Sequence, residues 1–456
     1  MRRSFLIALF IALAAASCST APQAPPSPRP HLEATATLAI TAGISVLSIV
    51  PLPQGFTPIA GHPPLWLQNG AEIGVVGTEQ GRLVVLGYGN QEWRTQRVLA
   101  AETGDDAAEE GTIVDLAASP DGMTLATAVV PRGERRLDII LRDLIAAGPG
   151  HSVVSFDGAY DSVSMSWLNT QTIALALRAH PEPPPPPPPA TVAPGELPPE
   201  TPAPPSEGLQ LIVVSGAGSV APVKLPCVMS PLSWSAHGVY AIGAGDASTP
   251  PIAINRRTST CRKFAAQAPM RVLAWSPRDE SSLVYAEPMP AAKSACVFRY
   301  DLESGEGKLI AAGSSAAAFT SSGAIIALGN QKLSRRSVAE RPDTPVLAQL
   351  AIFDPDQARV DVKSLGFQTP PAMLVESTIA YAAETNRAAI ETFAPAGPVP
   401  MRKIIVYSVP RDAAYQIASG PARGVAVMSW SPKGRWLAIE DGDAASSTLT
   451  VIQPPG

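Results

Sequence analysis

Five acids fall within ten residues in Glu102-Thr-Gly-Asp-Asp-Ala-Ala-Glu-Glu-Gly111. Carboxylates at that density could hold a calcium ion, which takes oxygen ligands. The D-x-[DN]-x-[DN]-G order of a compact calcium loop is missing, so Asp105, Asp106, Glu109 and Glu110 read as a solvated acidic connection. Five histidines, His31, His62, His151, His180 and His237, are scattered. No H-E-x-x-H places two imidazoles on one helix face for zinc. No G-x-S-x-G elbow presents a serine nucleophile, and no P-loop or complete G-x-G-x-x-G cradles a phosphate. The four cysteines include no C-x-x-C pair, so a thiolate zinc site is not expected. No catalytic residue, metal ligand or cofactor is assigned, although a trio assembled from distant segments stays open. Two basic connections complete the inventory: Pro131–Arg136, with Arg132, Arg135 and Arg136, and Ser334–Pro342, with Arg335 and Arg336. The formal charge is only −5, so mixed signs suit polar protein contacts better than nucleic acid.

The N-terminus carries a different chemistry. Arg2 and Arg3 precede an apolar stretch from Phe5 to Ala16. A helix of that length spans about 18 Å, short of the ~30 Å hydrocarbon core, so a signal peptide fits better than a membrane span. Ala15-Ala16-Ser17-Cys18 follows. It resembles the lipobox of bacterial lipoproteins, although Ala15 stands where that family usually has Leu. The resemblance implies cleavage between Ser17 and Cys18 and a diacylglycerol on the Cys18 thiol. Residues 1–17 are then the signal peptide. Residues 18–33, rich in Pro and Ser, form a flexible tether to a domain at 34–456. Ser19 after the cysteine fits outer-membrane sorting in a host with an outer membrane. Of the remaining Cys227, Cys261 and Cys296, export permits one disulfide, and the pairing stays open.

The rest of the chain is repetitive. A unit recurs in which an apolar run ends in Trp or another apolar residue, a Ser-Pro-like turn follows, and three further strand-like runs come after. Copies are anchored at Trp66, Ala118, Trp167, Trp234, Trp275, Phe319, Met373 and Trp430. The spacing, about 40–50 residues once a proline insert is discounted, is that of propeller blades. In Ser119-Pro-Asp-Gly122 and Ser431-Pro-Lys-Gly434, proline sets the first corner and glycine accepts positive φ at the close. The flanking Val-, Ile-, Leu- and Ala-rich runs lack a 3.6-residue period and suit strands buried on both faces. These units resemble the WD-like repeats of the TolB-type β-propeller over most of residues 60–454.

The expected fold is therefore all-β, an eight-bladed propeller of four-stranded antiparallel blades, or seven-bladed if the weak unit at Met373 is not a blade. The last unit stops after three strands. Residues 36–50 read as strand material able to complete it, closing the ring and removing an exposed edge. With strands A to D running from the axis outward, B–C and D–A connections share one face, and A–B and C–D turns the other. Several B–C connections are long, at about 179–208, 288–293, 330–344 and 384–401. They hold the basic segment 334–342 and the insert 181–207, whose seven consecutive prolines must form polyproline II, and the basic connection 131–136 is expected on the same face. The insert reads as an exposed spacer before a ligand for an aromatic groove. Long connections gathered on one face make it the expected working surface. The leading expectation is a membrane-anchored, non-enzymatic propeller of the cell envelope that binds a protein or peptide there. The alternative is an envelope enzyme or carbohydrate or small-ligand protein using the central funnel. The Gly-and-Trp docking motif of the eight-bladed quinoprotein dehydrogenases is not apparent.

Overall fold

Each blade leaves apolar side chains on both faces of its sheet, because alternate residues of a strand point to opposite sides. A lone blade cannot bury both, so blades must stack against one another. In the computed structural model they do so as eight sheets of four or five strands. The structure describes residues 36–454 apart from 38–39, 43–45, 59–63, 68–71, 80–81, 90–91, 102–110, 145–149, 181–207, 215–218, 224–226, 228–231, 244–249, 267–269, 290–293, 331–332, 334, 342, 357–358, 375, 396–398, 422–425 and 444–445. The protein is an eight-bladed β-propeller.

The innermost strands of blades 1 to 8 are Leu65–Leu67, Thr112–Ala118, Tyr160–Asn169, Leu232–Trp234, Arg271–Trp275, Ala317–Phe319, Thr378–Ala382 and Val427–Trp430. Eight hydrophobic clusters fill the eight seams between neighbouring blades. The seam between blades 8 and 1 joins Ala438, Leu449 and Val451 to Phe56, Ile73, Val75 and Val84, which closes the ring.

Four inner-strand tryptophans tie each blade to the one before it. The indole N–H of Trp167 donates to the Ala117 carbonyl at 2.9 Å, and that of Trp430 to the Ala380 carbonyl at 3.0 Å. Trp275 donates to Ser233 Oγ at 3.0 Å, and Trp66 reaches across the closing seam to Ser429 Oγ at 3.1 Å. The adjoining turns add a second contact. Gly122 and Gly434 have φ of 67° and 60°. A Cβ on Gly122 would lie 2.1 Å from the Trp66 carbonyl oxygen, so glycine is demanded by close approach as well as by φ.

The chain start completes blade 8. Val46–Pro51 pairs antiparallel with Ser446–Ile452, supplying the missing fourth strand. The segment before it is not one strand with it. Ala36–Thr37 and Ile40–Ala42 instead pair in parallel with the outer strands of blades 6 and 7. The chain start therefore runs along three successive outer edges.

Blade 7 departs from the expected register. Pro371–Leu374 is a short helix, so Met373 is not on an inner strand; that strand is Thr378–Ala382. The B strand is Arg387–Ala394 and the C strand begins at Met401, so the B–C connection is 395–400 rather than 384–401. The turn signal was hidden because Asn386, at φ 50°, takes the place that glycine holds elsewhere.

Deleting residues 1–51 is expected to lower the thermal midpoint sharply or prevent folding, whereas deleting residues 1–45 should cost far less. Circular-dichroism melts of the two truncations decide it, and equal melts would show that the closing strand contributes nothing. Trp430→Phe, which removes one hydrogen bond while keeping an aromatic ring, should cost about 1 kcal/mol in urea unfolding.

Candidate functional site

Strand direction sorts the connections onto two faces as expected. The segments 102–111, 131–135, 180–207 and 330–345 all join D to A or B to C strands, and the strand ends that flank them lie on one face. Asp105, Asp106, Glu109 and Glu110, the insert 181–207, and Ser17 and Cys18 lie outside the described residues. Arg132, Arg135 and Arg136 are exposed, with Arg136 bridged to Glu134 and Asp138 at 2.9 and 3.2 Å. Arg335 opens a short helix, Arg335–Glu340, on which Arg336 pairs with Glu340 at 2.7 Å. Val338 of that helix is fully buried and packs on Cys296 and Ala312 of blade 5. One apolar side chain thus pins this connection against a neighbouring blade, and Arg336 is left exposed. His180, which leads into the proline insert, hydrogen-bonds Asp161 at 2.6 Å.

Residue types alone would single out Ser235, His237 and Glu280 as a nucleophile, base and acid. Their geometry rules that out. Glu280 lies between the other two: its carboxylate accepts from Ser235 Oγ and contacts His237 Nδ1. Ser235 Oγ also accepts from the Val239 and Tyr240 amides at 3.1 and 3.0 Å. The hydroxyl is consumed by the turn and never meets the imidazole, whereas a triad needs serine bonded to histidine. Burial would raise the Glu280 pKa, but the hydrogen bonds from Ser235 and His237 outweigh it and hold the carboxyl below its ordinary value. The cluster fastens the blade 5 turn to blade 4.

Two buried carboxylates occupy equivalent positions on the B strands of blades 7 and 8. Glu391 pairs across the sheet with Thr378, and Glu440 with Val427, each the first residue of its inner strand. Glu391 is fully buried and fully engaged. It bridges Arg402 at 2.9 Å, accepts from Thr378 Oγ1 at 3.0 Å, and accepts from the Ala426 amide of blade 8 at 3.3 Å. Blade 8 lacks that set: Val427 replaces the threonine, and Ser447 stands at the register position of Arg402. Among the described residues, the buried Glu440 Oε2 has no hydrogen-bond partner. Strand alternation puts Glu440 on the side of Ala438, which packs against blade 1, so it faces the closing seam. Burial alone pushes its carboxyl up to about 7. Sequence inspection passed over both acids. The signal was there in Ala-Ala-Ile-Glu391 and Leu-Ala-Ile-Glu440, each a single acid closing an apolar run.

Lys363 fastens blade 6 to blade 7. It bridges Asp361 at 3.0 Å and Asp412 at 2.8 Å, and Tyr407 Oη donates to Asp412 at 2.8 Å. Burial opposes the Lys363 charge, yet the two carboxylates hold its pKa above the ordinary value. Cys227 and Cys261 form the disulfide, tying the connection before blade 4 to that blade's outer strand, and Cys296 is buried outside any disulfide. Among the described residues, no three His, Cys, Asp or Glu side chains converge to hold a metal ion. Two clefts of about 270 and 160 Å³ open beside C–D turns, between blades 4 and 5 and between blades 5 and 6. Both are on the face opposite the long connections.

No family profile matches this chain, and no curated protein sequence does. Among solved structures it is similar to the Dos1 propeller, at 11% identity and a TM-score of 0.48, over 89% of this chain and 95% of that one. It is similar to TolB from Acinetobacter baumannii at 12% identity and a TM-score of 0.32, over 82% and 77% of the two chains. An oligogalacturonate lyase in complex with manganese matches at 12% identity and a TM-score of 0.43, over 92% and 97%. The propeller assignment rests on the sheet topology, and no activity follows from neighbours this remote.

Glu440 sets a pH dependence with a definite sign. Its folded-state pKa lies above the ordinary carboxylate value, so the stability it permits is complete in acid and is lost as pH rises through about 7. Glu440→Gln should stabilise the protein by about 1–2 kcal/mol at pH 8 and leave it unchanged at pH 4. Urea unfolding at the two pH values checks this, and an equal effect at both would contradict it.

Proposed function

We propose that this chain is a lipid-anchored propeller of the cell envelope that holds a protein or peptide partner on the face carrying its B–C and D–A connections. The observation that carries the reading is the asymmetry of the two faces. Turns such as Ser119–Met123 and Ser431–Trp436 are closed tightly by their own serine hydroxyl, whereas 180–207 and 330–345 are far longer than joining two strands requires. Exposed Arg132, Arg135 and Arg336 on that face suit a partner with acidic or polar contacts. Ser235, His237 and Glu280, which residue type alone would make a catalytic trio, are engaged in fastening a turn, which supports a binding role over a catalytic one. The Arg2-Arg3 start, the apolar stretch and Cys18 support anchoring through a lipid. The Cys227–Cys261 disulfide supports an oxidising compartment.

Cys18→Ser should abolish incorporation of labelled palmitate and release the protein from membranes. In-cell crosslinking of the tagged protein should capture a dominant envelope partner. Arg132→Glu with Arg135→Glu should weaken that capture about fivefold, the scale of paired rim charges. Removing residues 181–207 tests the insert in parallel. A folded propeller with no partner sensitive to these changes would overturn the binding reading and turn attention to small ligands in the central funnel.

A further inference from the structure

On the face opposite the long connections, the turns of blades 7 and 8 gather four cations. Thr385 Oγ1, in the A–B turn of blade 7, donates to the Gly434 carbonyl in the A–B turn of blade 8 at 3.3 Å, so the two turns touch. Lys433 and Arg435 flank Gly434, and both are exposed. Arg387 opens the strand that follows Thr385 and Asn386. The blade 7 C–D turn, with the exposed Arg411, closes against it, the Val409 amide donating to the Asn386 carbonyl at 3.0 Å. Burial, and then the charge of Arg411, lower the Arg387 pKa, so the two guanidiniums feel each other. Among the described residues, no carboxylate forms an ion pair with any of these four side chains.

The carboxylates of this corner do not cancel them. Asp361 and Asp412 share Lys363 at 3.0 and 2.8 Å, and Tyr407 Oη also donates to Asp412. Glu384 is the acid of the two A–B turns. With Lys363 included, five cations stand against three acids, in a chain whose formal charge is −5. Cations gathered this closely repel one another and attract an anionic surface.

The chain start says which surface. Ile40 pairs with Ala414 just past the blade 7 C–D turn, and Ala36 pairs with Lys363. Both pairings are parallel, and each outer strand begins at its C–D turn, so the described chain enters from the face that carries the four cations. Cys18 stands eighteen residues before Ala36, a flexible reach of about 25 Å. Ring closure uses Val46–Pro51, and the parallel pairs add a shorter tether fixed at this corner.

We propose that Arg387, Arg411, Lys433 and Arg435 form a docking surface for anionic lipid headgroups. The choice of a bilayer rests on the membrane-anchored reading above, and docking here turns the long connections away from the membrane, toward a partner. Guanidinium and ammonium groups bond headgroup phosphates directly. Each cation at an anionic membrane surface is worth roughly fivefold in partitioning. Among the described residues, the exposed large apolar side chains are Val114, Leu309 and Val399, none of them on these turns. Docking is therefore electrostatic and weakens as salt rises.

Cosedimentation of the full Cys18→Ser chain with vesicles tests the proposal, phosphatidylcholine alone being compared with an equimolar phosphatidylcholine–phosphatidylglycerol mixture. This chain carries no lipid, so its result is separate from palmitate labelling, which tests the anchor. At low salt, partitioning onto the anionic vesicles should exceed that onto phosphatidylcholine by about tenfold or more. Arg411→Glu with Arg435→Glu should remove most of that excess. Lys263→Glu, which reverses an exposed cation on the outer strand of blade 4 across the ring, should leave it unchanged. Equal partitioning onto the two vesicles would overturn the proposal and turn the patch over to an acidic protein. An undiminished excess in the double variant, or an equal loss in Lys263→Glu, would overturn it as well. Should the double variant fail to fold, Lys433→Glu decides, and an undiminished excess there overturns the site.

Discussion

The ring depends on the contact between one inner strand and the next. A blade's two faces are both apolar, so a blade is stable only between two others, and the structure has to close on itself or expose a core. The tryptophan indoles make that contact directional. An aromatic ring fills the seam, and its single N–H fixes how far each inner strand sits from the preceding one, as with Trp167 over Ala117 and Trp430 over Ala380. At Gly122 the turn glycine lets backbone approach the Trp66 backbone of blade 1, and at Gly434 it makes room for the Thr385 side chain of blade 7. The closing seam uses the same device, Trp66 to Ser429, between residues far apart in the chain. The ring is held there without a covalent link, helped by the strand Val46–Pro51.

Polar groups distinguish seams that are otherwise alike. Blades 4 and 5 are joined by Glu280 with Ser235, blades 6 and 7 by Lys363 with Asp412, and blades 7 and 8 by Glu391 with the Ala426 amide. In each, a charge taken out of water is repaid by hydrogen bonds from the neighbouring blade, the condition under which buried charge is tolerated. The seam at Glu440 departs from this pattern, because among the described residues its Oε2 has no hydrogen-bond partner and that part of the cost of burial stays uncompensated. Functional sites commonly retain such local costs.

Much of this architecture was legible in the chain itself. The anchors at Trp66, Trp167, Trp234, Trp275 and Trp430, each followed by a turn signal or a second apolar run, marked inner strands correctly, and the truncated last unit pointed to the chain start for its fourth strand. Blade 7 was legible only in its outer half. It has no tryptophan anchor, and its turn uses Asn386 rather than glycine, so the apolar residues of Pro371–Leu374 took the place of an inner strand although they form a helix. The parallel pairing of Ala36–Thr37 and Ile40–Ala42 with blades 6 and 7 was not legible, because runs that short carry no periodicity.

Sequence by itself determined the repeat, the blade count to within one and the face on which each connection emerges. Those features follow from local periodicity, turn chemistry and strand alternation, all of which act between near neighbours in the chain. Tertiary structure decided which charges have partners. Glu391 and Glu440 are each one acid at the end of an apolar run, yet one meets Arg402 and the other, among the described residues, leaves its Oε2 without a hydrogen-bond partner. Ser235, His237 and Glu280 could have been a triad by type and became a fastener by geometry. The Cys227–Cys261 pairing was settled in the same way. The physical reason is common to all of them. An ionisable side chain takes its character from what surrounds it across a seam, and the chain order of residues does not say what lies across a seam.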